Sequence, residues 1–377
     1  MARGELDAFM ATMVAQPVGV EVAEAEELAR VHYGLNARAV RLSGERDENF
    51  KLSDAAGGQY VLKIANAAED PAVSDLPIAA LLHIERVDPK FPCPRVIRTR
   101  DGDTQCWHED RASGKRRAAR LLTYVSGKTL RSATGSRAQR VACGRMAARL
   151  GLALRDFTHP AARRPLIWDL RHIGKTLKLL GEVPDLPERE AIGALLERIE
   201  MLLVIRFQRL RQQAIHNDLN DLNVLVDPAD EAVIAGVIDF GDLVHTALVG
   251  DVAILATDLV VRGAGASSGA GGSRSAGAAG GGVPGARADG DAGGAGSSLR
   301  DSIADVVMAY HEITPLLPAE LVLLNPLIAA RILTCVVVGA WHRRRNPTGT
   351  HYSDMDPAVV RSRVQMAAEL LATDMPL

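Results

Sequence analysis

Alternating apolar and polar positions in the first third of the chain predict an antiparallel β-sheet. Strand patterns cover residues 39–43, 49–53, 60–65 and 117–125, with a hairpin over 95–109 about Asp101-Gly102. A helical period covers residues 21–33, and another covers 75–87, after the third strand pattern. The pattern therefore predicts a five-stranded antiparallel sheet with one helix inserted after the third strand.

Beyond residue 135 the hydrophobic period lengthens to that of a helix. Helical patterns cover residues 137–157, 169–180, 188–213, 246–261, 299–313, 319–343 and 357–372. Two apolar, β-branched runs at 223–226 and 233–238 lie among them and predict a β-hairpin. We expect an α+β chain of two lobes, with a small antiparallel-sheet lobe at 1–125 and a larger, mainly helical lobe at 126–377.

Residues 263–298 differ from the rest, because they are almost wholly Gly, Ala and Ser and show no hydrophobic period. Such a segment cannot bury enough apolar surface to offset the entropy that ordering removes. We interpret it as a disordered insertion between two helices of the second lobe, and not as a domain boundary.

Composition narrows the class of protein. A chain of 377 residues, 47% hydrophobic and 24% charged, is large enough for two lobes and ordinary for a soluble protein. A net charge of −2 gives no electrostatic reason to expect nucleic acid or an anionic membrane as a partner. The four cysteines form no CxxC pair, which favours reduced thiols in the cytoplasm. The N-terminus has no apolar run of a signal peptide, and the apolar segment 327–341 is too short to span a bilayer.

Polar residues around the predicted hairpin have the composition of a phosphoryl-transfer site. His-Asn-Asp at 216–218 is followed by Asn223, and Asp-Phe-Gly at 239–241 comes one hairpin later. Phosphoryl transfer needs a carboxylate that accepts the proton of the attacking hydroxyl, and oxygen ligands that hold magnesium against the phosphates. We predict Asp218 as the base, with His216 in the same catalytic set, and Asn223 and Asp239 as the magnesium ligands.

Three features of the first lobe are candidates for nucleotide binding. Lys63 lies in an apolar strand pattern, where a cation needs an anionic partner such as a phosphate. The turn at 44–48 precedes the second strand and lacks a GxGxxG pattern, so backbone N–H groups, Arg46 and Asn49 are expected to hold the phosphates. The last strand leaves the sheet through Thr123, Tyr124 and Val125, which we assign to the hinge that contacts the base.

With these motifs in place, the chain resembles the aminoglycoside phosphotransferase and choline kinase family, and within it the hydroxylysine-kinase-like branch. The resemblance runs from about residue 20 to 372, apart from the Gly-rich insertion. The segments that carry it are GERDENF (44–50), YVLKIAN (60–66), RLLTYVSGKTL (120–130), IHNDLNDLNVLVD (215–227), VIDFGD (237–242) and MAYHEITPLLPAELVLLNPLIAARI (308–332).

The resemblance implies a protein-kinase-like fold with ATP or GTP bound between the lobes, Mg2+ as cofactor and a small hydroxylated amine as acceptor. It implies that Asp242 faces the acceptor, and Asp221 is a further acid suited to an ammonium group. Arg331, inside an apolar helix, is a candidate for the acceptor carboxylate, and an ion pair with an acid such as Glu320 is the alternative. The family also implies a possible functional link to a class III aminotransferase-like enzyme.

The sequence departs from the family at the partner of Lys63. Such kinases usually orient this lysine with an acidic or amide side chain from the helix after the third strand, and that place falls near Pro77-Ile78 here. Asp75 or Glu69 are the candidates to replace it.

Three functions fit these residues. The leading one is a kinase that phosphorylates an amino alcohol, with a hydroxylysine-like acceptor favoured. The same chemistry on an aminoglycoside, choline or homoserine is the first rival. A nucleotide-binding pseudokinase that acts as a regulatory module is the second, and the intact set of Asp218, Asn223 and Asp239 argues against it.

Deleting residues 265–296 should change the melting temperature and the activity little, because a Gly-rich segment without hydrophobic period buries almost nothing. Limited proteolysis of the intact chain should cut first within this segment. A large loss of stability on deletion, or protection of the segment from protease, would show that it packs against the fold.

Overall fold

The first lobe is built on one antiparallel sheet. The computed structural model describes residues 19–44, 47–66, 69–109, 114–268, 299–346 and 356–373. The strands of this sheet are β1 (Ala37–Leu42), β2 (Glu48–Asp54), β3 (Gln59–Ile64), β4 (Val96–Ile97), β5 (Cys106–Glu109) and β6 (Arg116–Thr123). β1, β2, β3 and β6 lie side by side in that order, and both β4 and β5 pair with β6.

Two details of the predicted sheet are wrong. Within the described residues the sheet has six strands, and the expected hairpin over 95–109 does not form. β4 pairs with Leu121 and Leu122, while β5 pairs with residues 116–119 of the same strand. A turn that joins the Thr99 N–H to the Asp103 carbonyl still reverses the chain. The eight residues of β6 therefore take up two short partners end to end, which alternation alone did not reveal.

The alternation of side chains along these strands separates a core face from a cleft face. Phe50, Leu62 and Leu121 are fully buried in one apolar cluster with Ala25 and Leu28 of α1 (Val22–Tyr33). The neighbouring positions on β2, β3 and β6 project from the opposite face of the sheet. That opposite face carries Asn49, Lys63 and Arg120 and turns toward the second lobe.

The inserted helix, α2 (Pro71–Val87), joins the two lobes. Its first turn is capped by Asp70, whose side chain accepts from the Ala72 N–H, and Pro71 occupies a position where its missing N–H has no cost. Leu76 and Ile84 belong to the core cluster of the second lobe, and Asp88 at the end of α2 pairs with Arg149. These contacts anchor α2, an insertion in the first-lobe sheet, on the second lobe.

The second lobe is mainly helical. Its helices are α3 (Arg137–Ala153), α4 (Ile173–Leu180), α5 (Arg189–Arg206), α6 (Val249–Ser268), α7 (Leu299–Ile313), α8 (Pro318–Arg345) and α9 (Pro357–Ala372). Its short strands are β7 (Lys128–Thr129), β8 (Gln212–Ile215), β9 (Val224–Val226), β10 (Ile234–Val237) and β11 (Val244–Ala247). β9 pairs with β10 as predicted and also with β7, and β8 pairs with β11. The lobe boundary at residues 125–126 stays a prediction.

Several predicted helices of this lobe are too long. The pattern over 188–213 ends at Arg206, and its last part forms β8; the pattern over 246–261 begins with β11. The residues of β8 and β11 fit the end of one helical pattern and the start of the next. In the structure they pair with each other instead, and the loop at 216–223 begins directly after β8. In the other direction, α6 continues to Ser268, six residues into the predicted insertion, and residues 269–298 lie outside the described part of the chain.

The long helix α8 forms the centre of the second lobe. Among the residues that the structure describes, it is the one helix long and apolar enough to cross a membrane by length and composition. In its most apolar window 83% of the residues are buried inside the protein, which is the behaviour of a core helix. Arg331 lies in this buried stretch.

Close packing of α3 against α7 depends on a glycine. A Cβ on Gly144 would lie 2.2 Å from the Val306 carbonyl oxygen and 3.0 Å from the Ala309 Cβ. Gly193 in α5 has space for a side chain, because a Cβ there would lie 3.6 Å from its nearest neighbour, the Leu180 Cδ2.

Gly144→Ala should lower the stability of the protein by about 1–3 kcal/mol, since overpacking displaces backbone. Gly193→Ala should leave the stability unchanged or raise it by about 1 kcal/mol through helix propensity. Urea denaturation of both variants measures the difference. Equal effects of the two substitutions would show that α3 and α7 can separate without loss.

Candidate active site

The loop between β8 and β9 is held by one buried carboxylate. Asp251, in the first turn of α6, accepts hydrogen bonds from the His216 N–H at 2.9 Å and the Asn217 N–H at 2.7 Å. Asn217 has the left-handed backbone conformation, with φ of 64°, which is uncommon for a residue other than glycine. The two bonds to Asp251 hold this conformation and direct the next residue, Asp218, away from the strand.

His216 supports the loop from inside. Its ring is fully buried against Phe240, with Nε2 donating to the Ile238 carbonyl at 3.0 Å and Nδ1 accepting from the Asp218 N–H at 3.3 Å. Burial lowers the pKa of His216, which agrees with a neutral ring that donates through Nε2. Both nitrogens serve the loop, so this geometry makes His216 a positioning residue.

Asp218 is surrounded by donors. Its Oδ1 accepts from Arg331 Nη2 at 3.0 Å, and its Oδ2 accepts from Asn223 Nδ2 at 2.7 Å and from Asn220 Nδ2 at 3.0 Å. Burial raises the pKa of Asp218 to about 7; the Arg331 cation lowers it, and Asp242 and Asp239 raise it. A carboxyl of this kind has a proton affinity suited to a general base at neutral pH.

The two predicted metal ligands lie at the same end of the hairpin. The Ile238 N–H donates to the Asn223 carbonyl at 2.9 Å, so Asp239 follows directly beside Asn223. The amide of Asn223 donates to Asp218, which leaves its side-chain oxygen as the candidate ligand. Asp239 also has a left-handed backbone, with φ of 62°, and its side chain is about half exposed.

Lys63 reaches across from the first lobe. Its Nζ lies 2.9 Å from Oδ1 of Asp239, and this contact joins the cleft face of the sheet to the hairpin. The two proposed replacements for its acidic partner have other contacts: Asp75 lies 3.3 Å from His159 Nε2, and Glu69 accepts from Ser74 Oγ at 2.6 Å. Pro77 is buried within α2.

The predicted nucleotide residues are distributed along the cleft. Asn49 is directly opposite Lys63 on β2, whereas Arg46 lies outside the described residues. The Thr123 N–H donates to Arg95 and the Tyr124 N–H donates to Gln59, so both are used within the sheet. The Val125 N–H makes no hydrogen bond within the described chain, and Val125 therefore stays the candidate donor to a base.

The three residues predicted to contact the acceptor are buried or bound to other side chains in the structure. Asp221 is held by Arg131 through three hydrogen bonds of 2.9 to 3.1 Å, and Asp242 is buried behind the Asp-Phe-Gly turn. Arg331 does not pair with Glu320, which is bound by Arg211. Its recognition of an acceptor carboxylate stays a prediction, because the guanidinium is bonded to Asp218 and stacks on Trp168 at 4.7 Å.

Four residues with a place in the site were not identified from the sequence. Asp251 and Asn220 hold the loop, and Arg164 donates to the Gly241 and Leu243 carbonyls at 2.6 and 2.8 Å. Asp258, two turns along α6 from Asp251, has a side-chain oxygen, Oδ2, that is inaccessible and accepts no hydrogen bond from the described residues. Burial raises the pKa of Asp258 to about 7. Asp251 and Asp258 could have been found in the sequence, because both are acids in an otherwise apolar helix.

The described residues offer no group of three or more His, Cys, Asp or Glu arranged to hold a metal ion. A cavity of about 620 Å³ lies between α3 and the segments around Pro92 and Ile234, and none of the predicted site residues lines it. The candidate active site is therefore the cleft at Asp218, Asn223 and Asp239, and not that cavity.

Comparison with known proteins identifies the family of the chain. Residues 38–288 match the model of the phosphotransferase enzyme family, which is well over half of the chain.

The chain belongs to the phosphotransferase enzyme family.

Two curated relatives are hydroxylysine kinases. The protein from Mus musculus is 29% identical over 263 residues, which are 64% of this chain and 69% of the relative. The protein from Danio rerio is 29% identical over 222 residues, covering 56% of this chain and 62% of the relative. The resemblance noted in the sequence is thus confirmed, and the chain is a small-molecule phosphotransferase with an alcohol group as acceptor.

Solved structures confirm the two-lobed kinase fold. An amicoumacin kinase in complex with AMP-PNP and Ca2+ matches with a TM-score of 0.65 at 13% identity, covering 93% of this chain and 94% of that one. A microcompartment-associated aminopropanol kinase matches with a TM-score of 0.60 at 19% identity, covering 93% and 96%. At these identities the likeness shows the fold.

The rate of phosphotransfer should fall below about pH 7, because Asp218 accepts a proton only when it is ionised. Arg331→Gln should move this acid limb to higher pH, since the Arg331 cation lowers the pKa of Asp218. The measurement is kcat/KM for the acceptor against pH at saturating nucleotide. Arg145→Gln, which removes a surface ion pair with Glu312, is the control and should leave the limb in place. An unshifted limb in the Arg331 variant would contradict the assignment.

Proposed function

We propose that this protein transfers the γ-phosphoryl group of ATP or GTP to the hydroxyl of a small amino alcohol, with hydroxylysine as the favoured acceptor. The observation that carries the proposal is the environment of Asp218: three donors orient its carboxylate, and Asn223 and Asp239 lie beside it. The kinship with hydroxylysine kinases supports the acceptor class.

The residues present fit magnesium as the metal. Mg2+ prefers oxygen ligands and is usually held by one or two protein groups together with waters and substrate phosphates. Asn223 and Asp239 offer an amide oxygen and a carboxylate, which are ligands of this type. Held by Asn223 and Asp239, magnesium would neutralise negative charge on the phosphate groups.

The proposed transfer is direct. The acceptor oxygen bonds to the γ-phosphorus as the bond from that phosphorus to the β–γ bridging oxygen breaks, and a nucleoside diphosphate leaves. The hydroxyl proton passes to Asp218. Arg331 and Asn223 keep the carboxylate oriented. Lys63, which contacts Asp239, is the proposed partner of the α- and β-phosphates.

Tyr124, one of the predicted hinge residues, contacts a cation of the first-lobe sheet. Tyr124 lies under the Lys51 ammonium, with Nζ 4.0 Å from the ring centroid. Lys51 shares the cleft face with Asn49, two residues earlier on β2. This contact does not distinguish adenine from guanine, so the activity should be measured with both ATP and GTP.

The similarity to hydroxylysine kinases supports an acceptor with an ammonium group. A phosphorylated amino alcohol is also a reasonable substrate for a class III aminotransferase-like enzyme, and we retain that functional link and a cytoplasmic location as parts of the proposal.

The proposal predicts magnesium-dependent formation of a phosphate monoester from 5-hydroxylysine, ethanolamine or 1-amino-2-propanol, read by phosphorus NMR with ATP and with GTP. Lysine, which lacks the hydroxyl, is the matched control acceptor and should give no product. Asp218→Asn should lower kcat by about 10²–10⁴ without weakening nucleotide binding, because it removes the proton acceptor alone.

Two outcomes would contradict the proposal. A near wild-type kcat in Asp218→Asn would remove Asp218 from the role of base. Nucleotide binding without transfer to any amino alcohol, but with transfer to choline or an aminoglycoside, would move the acceptor to that class.

A further inference from the structure

Asp258 is an acid near the active site that has no role in the proposed transfer. It follows Asp251 by seven residues on α6, and residues with this spacing share one face of a helix. Asp251 faces the loop at 216–223, because its carboxylate accepts the N–H groups of His216 and Asn217. Asp258 therefore lies on the same face of α6, about two turns further along the helix.

Charged residues from three other parts of the chain lie close to Asp258. Burial has the largest effect on its pKa, and next come the charges of two acids of the loop, of a cation on α8 and of a cation after β7: Asp221, Arg331, Asp218 and Arg131. Burial raises the pKa of Cys335, one turn beyond Arg331 on α8, and the Asp258 carboxylate adds to that rise. Asp258 therefore lies near the proposed base, between the loop and α8.

The two neighbouring acids of the loop have cations as partners. Arg331 Nη2 lies 3.0 Å from Asp218 Oδ1, and Arg131 makes three hydrogen bonds to Asp221. Asp258 forms no hydrogen bond and no ion pair within the described chain. Of the three carboxylates, it is the one whose charge has no partner among the described residues.

One oxygen of this carboxylate is open to a ligand. Oδ2 of Asp258 is inaccessible, whereas the residue as a whole is partly exposed and Oδ1 lies at the accessible surface. A carboxylate largely withdrawn from water without a donor is costly to the fold. An ammonium group supplies what is missing, since it carries a positive charge and three N–H donors. The pKa of Asp258, raised by burial to about 7, falls beside a cation, which keeps the carboxylate ionised.

We propose that Asp258 is an acceptor-binding residue, whose Oδ1 receives the ammonium group of the amino alcohol while the hydroxyl meets Asp218. This inference rests on the proposed function, because it takes an amino alcohol as the acceptor. It gives Asp258 the role that was predicted for Asp221, whose carboxylate is held by Arg131. The preference of the enzyme for amino alcohols over plain alcohols then depends on one side chain of α6.

The test compares 1-amino-2-propanol with 2-butanol, in which a methyl group replaces the ammonium group. Asp258→Asn should raise KM for 1-amino-2-propanol by about tenfold or more, the range of a lost hydrogen bond to a charged group, and should change kcat less than about threefold. The kcat/KM for 2-butanol should stay within about twofold of the wild-type value, because no ammonium group is bound there. Steady-state release of nucleoside diphosphate by the full chain, at saturating Mg-nucleotide, measures these constants.

Two further variants define the effect. Asp258→Glu should restore part of the lost affinity, because it keeps the negative charge. Glu312→Gln is the control, since it removes an exposed acid that pairs with Arg145 on the surface, and it should change neither KM nor kcat.

The melting temperature separates this role from a structural one. Asp258→Asn should melt at the same temperature as the wild type or higher, because it removes a carboxylate that has no donor in the fold. An unchanged KM, an equal fall of kcat/KM for both acceptors, or a lower melting temperature with loss of kcat would overturn the inference while the wild type still phosphorylates amino alcohols. A wild-type protein that phosphorylates no amino alcohol would overturn the proposed function itself and this inference with it.

Discussion

The catalytic loop depends on the carboxylate of Asp251. Without it, the N–H groups of His216 and Asn217 would be buried with no acceptor, and each such group costs about 1–3 kcal/mol. The same helix, α6, packs against α8, where the Thr257 hydroxyl lies 3.5 Å from the Ile328 carbonyl. One turn further along α8, Arg331 reaches Asp218. The loop is therefore fixed from its backbone by one helix and from its side chain by the next.

Ion pairs add to this support, and the pair of Lys63 with Asp239 crosses the cleft between the lobes. Asp218 faces Arg331, Asp221 faces Arg131, Asp239 faces Lys63 and Asp47 faces Arg120. Each pair joins elements that are far apart in the chain, so the pairs define how the loop, the hairpin and the sheet meet. Burial raises the pKa of Asp218, and the nearby carboxylates of Asp242 and Asp239 add to that rise.

The sequence predicted those parts of the site in which local spacing carries the chemistry. The pattern from His216 to Asp239 lies on one loop and one hairpin, so the order of residues already implies their proximity. Lys63 was found because a cation is unusual in an apolar strand. Partners from distant elements could not be predicted in this way: the pairing of Arg331 with Asp218 depends on how α8 crosses the loop, and Asp251 resembles any acid at the start of a helix. The missing hairpin has a similar cause, because β4 and β5 each satisfy the strand pattern by pairing with β6.

The left-handed backbone at Asn217 and Asp239 has a consequence for the evolution of this enzyme. Glycine would adopt either conformation with less strain, so both positions retain a side chain against the conformational preference of the backbone. At Asp239 the reason is evident, since the carboxylate is the group that meets Lys63. Variants selected only for thermal resistance should therefore accumulate glycine at these two positions and lose turnover. The positive φ angles of Asn217 and Asp239 thus place stability and activity in opposition.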